Sequence, residues 1–99
     1  MNKLFSMIGL ATKAGVTVSG EFSVEKAIKD RKAYVVIVSE EASENTKKKF
    51  TDKCTFYKVP VFITGSSAEM GDATGNESRM SLAVLDKGFG EKIIEMLED

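Results

Sequence analysis

Tyr34-Val35-Val36-Ile37-Val38-Ser39-Glu40-Glu41-Ala42-Ser43-Glu44-Asn45-Thr46-Lys47-Lys48-Lys49 runs from a wholly apolar segment, through a short polar turn, into the start of a helix. Tyr34 to Val38 has no polar alternation, so it reads as a strand covered on both faces. Ser43 is a good N-cap, because its hydroxyl can accept from the backbone N–H of Asn45 or Thr46. Strand, polar turn and capped helix form the junction at which open α/β sheets place ligands, beyond the carboxyl ends of their strands. Lysines early in a helix oppose its dipole. They become favourable when a phosphate sits nearby. The stretch therefore points both to an α/β fold and to a polyanionic partner.

Outward from this junction, helical periodicity alternates with short apolar runs. Asn2 can cap a first helix that carries Leu4, Met7, Ile8 and Ala11 on one face and ends at Gly15. Val16 to Ser19 reads as a short strand, and Gly20 turns the chain into a second helix with Val24, Ala27 and Ile28 inward. The third helix is expected from about Ser43 to Lys53, with Thr46, Phe50 and Cys54 facing the core every four residues. Val59 to Thr64 is a strand with Pro60 at its start, where a missing N–H is tolerated. Gly65-Ser66-Ser67 leads into a fourth helix, Ala68 to about Thr74, closed by Gly75. Met80 to Leu85 is another buried strand, and Asp86 can cap a last helix with Phe89, Ile93, Met96 and Leu97 inward. Gly88 and Gly90 weaken its first turn by roughly 1 kcal/mol each relative to alanine. The order αβαβαβαβα predicts a single α/β domain over residues 1–99, a three-layer α/β/α sandwich around a four-stranded mixed sheet.

Composition narrows the chemistry. With 42% hydrophobic and 29% charged residues the chain is an ordinary globular sequence. No apolar run approaches the roughly 20 residues of a membrane span. Met1-Asn2-Lys3-Leu4 opens like a signal peptide, but Gly9, Thr12 and Lys13 interrupt the apolar region, so a cytoplasmic protein is expected. Cys54 is the one cysteine and histidine is absent, which removes Cys/His zinc sites and the Ser-His-Asp and Cys-His arrangements. Cys54 itself reads as a core residue. Glu40, Glu41 and Glu44 could hold Mg²⁺. They read more simply as acids complementing a helix dipole. Asp86-Lys87-Gly88-Phe89-Gly90 lacks the dinucleotide spacing, and there is no Walker-type loop. A non-enzyme without metal or cofactor is expected. The net charge of −1 conceals a split: residues 1–60 hold 11 Lys/Arg and 7 Asp/Glu, whereas residues 61–99 hold 3 and 8. Such a split fits a basic face for nucleic acid, or a solvated surface with chance segregation.

Lys47, Lys48 and Lys49 sweep through about 200° of the third helix at 100° per residue, so they cannot all address one ligand. Lys47 and Lys48, with Thr46, are the candidates. A second strand-to-helix junction, Gly20-Glu21-Phe22-Ser23-Val24-Glu25-Lys26, places Lys26 one turn into the second helix. Phe22 has two readings there: an apolar staple or core residue, or an exposed ring that stacks on a base.

Several segments carry a resemblance in their order and spacing. They are Ile8-Gly9-Leu10-Ala11-Thr12-Lys13-Ala14-Gly15, Lys26-Ala27-Ile28, Ala33 to Ser43, Asn45-Thr46-Lys47-Lys48, Asp52-Lys53-Cys54, Val59-Pro60-Val61, Met70-Gly71-Asp72-Ala73-Thr74-Gly75 and Ala83 to Phe89. Over nearly its whole length the chain resembles the small RNA-binding ribosomal proteins L-seven-Ae and L-thirty-e, and among them the bacterial YlxQ-type members. The resemblance implies an α/β/α fold and an RNA ligand, typically a kink-turn. In that family a Gly-x-Asn-Glu motif opens the second helix and reads sheared G·A pairs. A lysine three residues after the Glu contacts the backbone, and an apolar loop packs against a flipped-out nucleotide. Here Gly20 and Lys26 match, but Phe22 and Ser23 stand at the Asn and Glu positions, and the loop after Gly75 is the polar Asn76-Glu77-Ser78-Arg79.

The expectation is a non-catalytic RNA-binding protein, ribosomal or ribosome-associated. It would be monomeric and bind rRNA or another structured non-coding RNA, with ribosome or ribonucleoprotein components as further partners and no membrane contact. Its surface would comprise Gly20, Glu21, Phe22, Ser23, Lys26, Thr46, Lys47, Lys48, Asn76, Glu77, Ser78 and Arg79. The alternative is a protein–protein adaptor that keeps the fold without RNA.

Overall fold

The apolar run at Val35–Val38 is buried at all four positions, as a strand with no polar alternation requires. It lies near the centre of a computed structural model that describes residues 3–98. The elements are α1 (Lys3–Lys13), β1 (Thr17–Ser19), α2 (Glu21–Lys29), β2 (Val35–Val38), α3 (Glu44–Tyr57), β3 (Val61–Ile63), α4 (Ser67–Thr74), β4 (Ser81–Val84) and α5 (Lys87–Glu98). The alternation matches the expected order. The cap expected at Asn2 lies outside the described residues.

The sheet runs β1-β4-β2-β3. β4 is antiparallel to both neighbours, pairing Ser19 with Leu82 on one side and Val38 with Ser81 on the other, while β2 and β3 are parallel. Insertion of the last strand at the centre makes the sheet mixed. It also brings the carboxyl ends of β1, β2 and β3 to the same edge as the amino end of β4.

Strand alternation divides the core in two. Val35, Ile37, Leu82 and Val84 pack with Phe5 and Ile8 of α1, Met70 of α4 and Ile93 of α5. Val36, Val38 and Ala83 pack with Val24 and Ile28 of α2 and Phe50 and Cys54 of α3. Helices therefore cover both faces, giving the three-layer α/β/α sandwich. Burial pushes the Cys54 thiol up to about 11, so it is a protonated core residue rather than a nucleophile. No helix among the described residues is long and apolar enough to cross a membrane.

Three details depart from the sequence reading. α3 continues to Tyr57, one turn beyond Lys53, and stops where Lys58 takes the left-handed conformation (φ 60°). No glycine marks that stop, so the sequence carries no signal for it. β3 keeps only Val61–Ile63 of the expected run, although the Pro60 carbonyl still accepts from the Val36 N–H at 2.9 Å. Gly90 is not merely a weak helix residue: a Cβ there would lie 2.8 Å from Cβ of Tyr34, so glycine lets α5 approach the entry to β2.

α2 and α3 are joined by charge as well as by apolar packing. Glu25 faces Lys53 at 3.1 Å, Lys49 at 3.5 Å and Lys29 at 3.9 Å. The hydrogen bond from Lys53, with the positive fields of Lys49, Lys53 and Lys29, outweighs desolvation and holds the Glu25 carboxyl below its usual range. A lowered carboxylate pKa gives stability that is present above the unfolded value and fades as pH falls through the folded one. Glu25→Gln is therefore expected to be less stable than the wild type at pH 7, with the gap closing below about pH 4. Urea unfolding at pH 7 and pH 3 checks this; an equal gap at both would remove the ionic contribution.

Candidate functional site

The common sheet edge gathers the amino termini of α2, α3 and α4 and the loop from Gly75 to Met80. Backbone bonds fix the arrangement. The Gly20 N–H donates to the Ser81 carbonyl at 3.0 Å, the Ser39 N–H to that of Met80 at 2.9 Å, and the Arg79 N–H to that of Ser67 at 3.1 Å. Ser39 Oγ and the Glu40 N–H both donate to the Gly65 carbonyl, at 3.1 and 3.0 Å, tying the turn before α3 to the turn before α4.

The three helix starts are built differently. Ser43 caps α3 as expected, its Oγ accepting from the Thr46 N–H at 3.1 Å. Ser66 and Glu69 form a reciprocal capping box on α4. Glu41 also serves α4: its Oε1 accepts from the N–H and hydroxyl of Ser67 at 2.8 and 2.7 Å. Those two bonds, the backbone one foremost, hold the Glu41 carboxyl below its usual range. Its expected role beside the third helix or a metal is thus replaced by a contact across two turns. α2 has no side-chain cap. Gly20 opens it at φ 93°, ψ 153°, a region that residues with a Cβ rarely enter.

The candidate residues fall into groups. Phe22 is 79% exposed, so it is neither the staple nor the core residue that its hydrophobicity suggested. Ser23 is exposed beside it. Glu21 leans toward α3, its carboxylate 3.3 Å from Lys49 Nζ. Lys26 pairs with Asp30 at 2.8 Å, Lys47 with Glu44 at 3.6 Å and Lys48 with Asp52 at 3.0 Å. Such surface pairs are worth ~1 kcal/mol or less, so a phosphate can compete for these lysines. Lys49 turns across to α2, as the helical period requires.

The loop is more organised than its polarity suggests. Asn76 Nδ2 donates to Ser19 Oγ at 3.3 Å and to the Thr74 carbonyl at 3.0 Å. Arg79 donates through Nε to Ser19 Oγ at 2.9 Å and through Nη2 to Asn76 Oδ1 at 3.0 Å. Asn76 and Arg79 therefore brace the loop against the end of β1 and keep a guanidinium at the edge. Glu77 and Ser78 form its exposed tip. The sequence reading missed Ser19, the shared acceptor, and Met80, which is 44% exposed next to the Ser39 contact. Their neighbours' apolar character absorbs both into strands.

The surface is open. Two pockets of about 480 Å³ lie elsewhere, one between α1 and α4 beside Leu10 and Asp72, the other on α3 beside Phe56 and Tyr57. From the candidate edge a hollow of about 190 Å³ runs along α2 to its far end, lined by Phe22, Glu25, Lys26, Lys29 and Asp30. Small-molecule sites are concave and largely enclosed. A broad edge with spaced cations and an exposed ring suits a polymer instead.

A profile of the ribosomal protein L7Ae/L30e/S12e/Gadd45 family matches residues 2–94. The chain is 46% identical over 94 residues to the RNA-binding protein YlxQ of Bacillus subtilis (strain 168), covering 95% of this chain and 94% of that one. It is 41% identical over 96 residues to the RNA-binding protein YlxQ of Enterococcus faecium, covering 97% and 92%. A solved Bacillus halodurans protein of unknown function superposes over the full length of both chains with a TM-score of 0.96 at 35% identity. The 15.5-kD RNA binding protein of Giardia lamblia superposes with a TM-score of 0.82 over 96% of this chain and 84% of that one; at 17% identity it shares the fold.

Proposed function

The chain belongs to the ribosomal protein L7Ae/L30e/S12e/Gadd45 family, and from this premise we propose that it is a non-catalytic RNA-binding protein acting on structured RNA of the ribosome or another ribonucleoprotein. The observation that carries the proposal is the convergence on one sheet edge of residues as far apart as Ser19 and Arg79. That edge presents the uncapped start of α2, the lysines of early α3 and a braced arginine loop. Gly20, Phe22, Ser23, Lys26, Thr46, Lys47, Lys48, Asn76, Glu77, Ser78 and Arg79 make up the surface, with Glu21 setting Lys49 aside. Lys26, Lys47, Lys48 and Arg79 hold phosphates, which fixes position without reading sequence. Phe22 has no hydrogen-bonding group and Ser23 offers a single short hydroxyl in place of an Asn-Glu pair. Each good bidentate base contact is worth about 1–3 kcal/mol, so discrimination in favour of a kink-turn is reduced.

Filter binding to total cellular RNA at 50 mM salt tests the proposal. Retention is expected, and no retention would overturn it. A nuclease-treated pull-down that keeps every partner would favour a protein adaptor. The lysines have their own test. Lys47→Ala with Lys48→Ala is expected to lower the slope of log affinity against log salt by up to about 2, near one unit for each phosphate no longer neutralised. An unchanged slope would take both lysines out of the surface.

A further inference from the structure

Phe22 is the most exposed large hydrophobic residue among those described, and its surroundings are not apolar. It shares a shallow hollow on α2 with Glu25, Lys26, Lys29 and Asp30. Positions 22, 25, 26 and 29 are spaced by three and four, so they form one stripe along the helix. Two lysines thus follow an exposed ring along a single face. Lys26 is held by Asp30, and Lys29 lies 3.9 Å from Glu25, a carboxylate already engaged by Lys53 and Lys49. Above the stripe the first turn of α2 has no side-chain cap, and across the Gly20–Ser81 bond stands the exposed Met80. A protein partner would ordinarily meet an aromatic anchor within an apolar patch that has shed its charges. Here the ring shares its hollow with two lysines, each beside a surface carboxylate that a phosphate can displace, and the pattern fits single-strand platforms: an aromatic face for a base and spaced lysines for the backbone.

We propose that the Phe22–Lys26–Lys29 stripe binds an unpaired nucleotide, its base stacked on Phe22 and the adjoining phosphates held by Lys26 and Lys29. The assignment rests on the RNA-binding reading and sharpens it. Phe22 replaces edge-reading by stacking, so this part of the site selects unpaired RNA with little preference among bases. Lys29, which the sequence reading left out, becomes part of the site.

The test uses the full chain and two RNA hairpins with the same stem, one fully paired and one carrying a three-uridine bulge. The wild type is expected to bind the bulged hairpin about tenfold more tightly or better, the scale of one stacked base. Phe22→Ala is expected to remove that preference, losing about tenfold more affinity for the bulged hairpin than for the paired one, while Phe22→Trp retains it. Lys29→Ala is expected to lower the salt slope for the bulged hairpin by about one. The side chain of Phe22 is exposed, so its replacement leaves the core intact. Equal affinity of the wild type for the two hairpins, or equal losses on both in Phe22→Ala, would overturn the stacking assignment while leaving RNA binding in place. Failure of the wild type to bind either hairpin would overturn both.

Discussion

Gly71→Ala is expected to destabilise the protein by about 3 kcal/mol and to release the loop that carries Asn76 and Arg79. A Cβ at position 71 would lie 2.6 Å from the Glu77 carbonyl oxygen, 2.6 Å from Ser78 Cα and 2.7 Å from the Glu77 carbonyl carbon. All three are backbone atoms, so no side chain can rotate away and the chain itself must move. The loop is fastened nearby, since the Asn76 N–H donates to the Gly71 carbonyl at 2.8 Å and Asn76 then braces Arg79. One methyl group would therefore act on fold and site together. For a domain of this length such a loss lowers Tm by about 12–24 °C. RNA affinity should fall with it, and more than it falls in Glu77→Ala, which leaves the backbone in place. Thermal unfolding and filter binding on both variants check the pair of effects. A Gly71→Ala protein with wild-type Tm would mean that the loop is not packed on α4 as described.

Phe50→Ala is expected to cost about 3–5 kcal/mol, the scale for truncating a fully buried aromatic side chain. Phe50 is completely buried on the inner face of α3, among Val24, Ile28, Val36, Val38 and Ala83. Folded domains have about 5–15 kcal/mol in total, so this one side chain can bring the protein close to unfolding. The loss arises on the side of the sheet that seats α2 and α3, which present Phe22, Lys26, Lys47 and Lys48. Urea unfolding should show a lower midpoint, and saturating RNA should restore part of it if those helices carry the surface. Less than about 1 kcal/mol lost would place Phe50 outside the core.

These two cases also show what can be read in a sequence. The cap at Ser43, the buried run of β2 and the separation of Lys49 from Lys47 and Lys48 are legible, because each follows from period or chemistry within a few residues. The layer architecture follows from the alternation of such elements. What stays hidden depends on distant partners. The position of β4 between β1 and β2 sets which edges align, and no local pattern encodes it. Gly90 reads as a helix-weakening residue, and Gly71 as one more position of α4, until Tyr34, Glu77 and Ser78 are seen against them. Ser19 reads as an ordinary strand residue, and becomes an acceptor only when Asn76 and Arg79 arrive from 57 and 60 positions away. Phe22 admits two readings in sequence, and the fold decides between them. Hydrophobicity favours burial, but the edge where α2 begins offers nothing to bury it.

RNA is expected to lie along the sheet edge where α2 and α3 begin, and on that placement the whole functional reading depends. Ultraviolet crosslinking of the protein to total cellular RNA, with the attached residues identified by mass spectrometry, locates the RNA without any substitution. Crosslinks are expected at Phe22 and Lys26, at Lys47 or Lys48, and in the segment from Asn76 to Met80. Crosslinks confined to α1 and α5, or none above background, would contradict the placement.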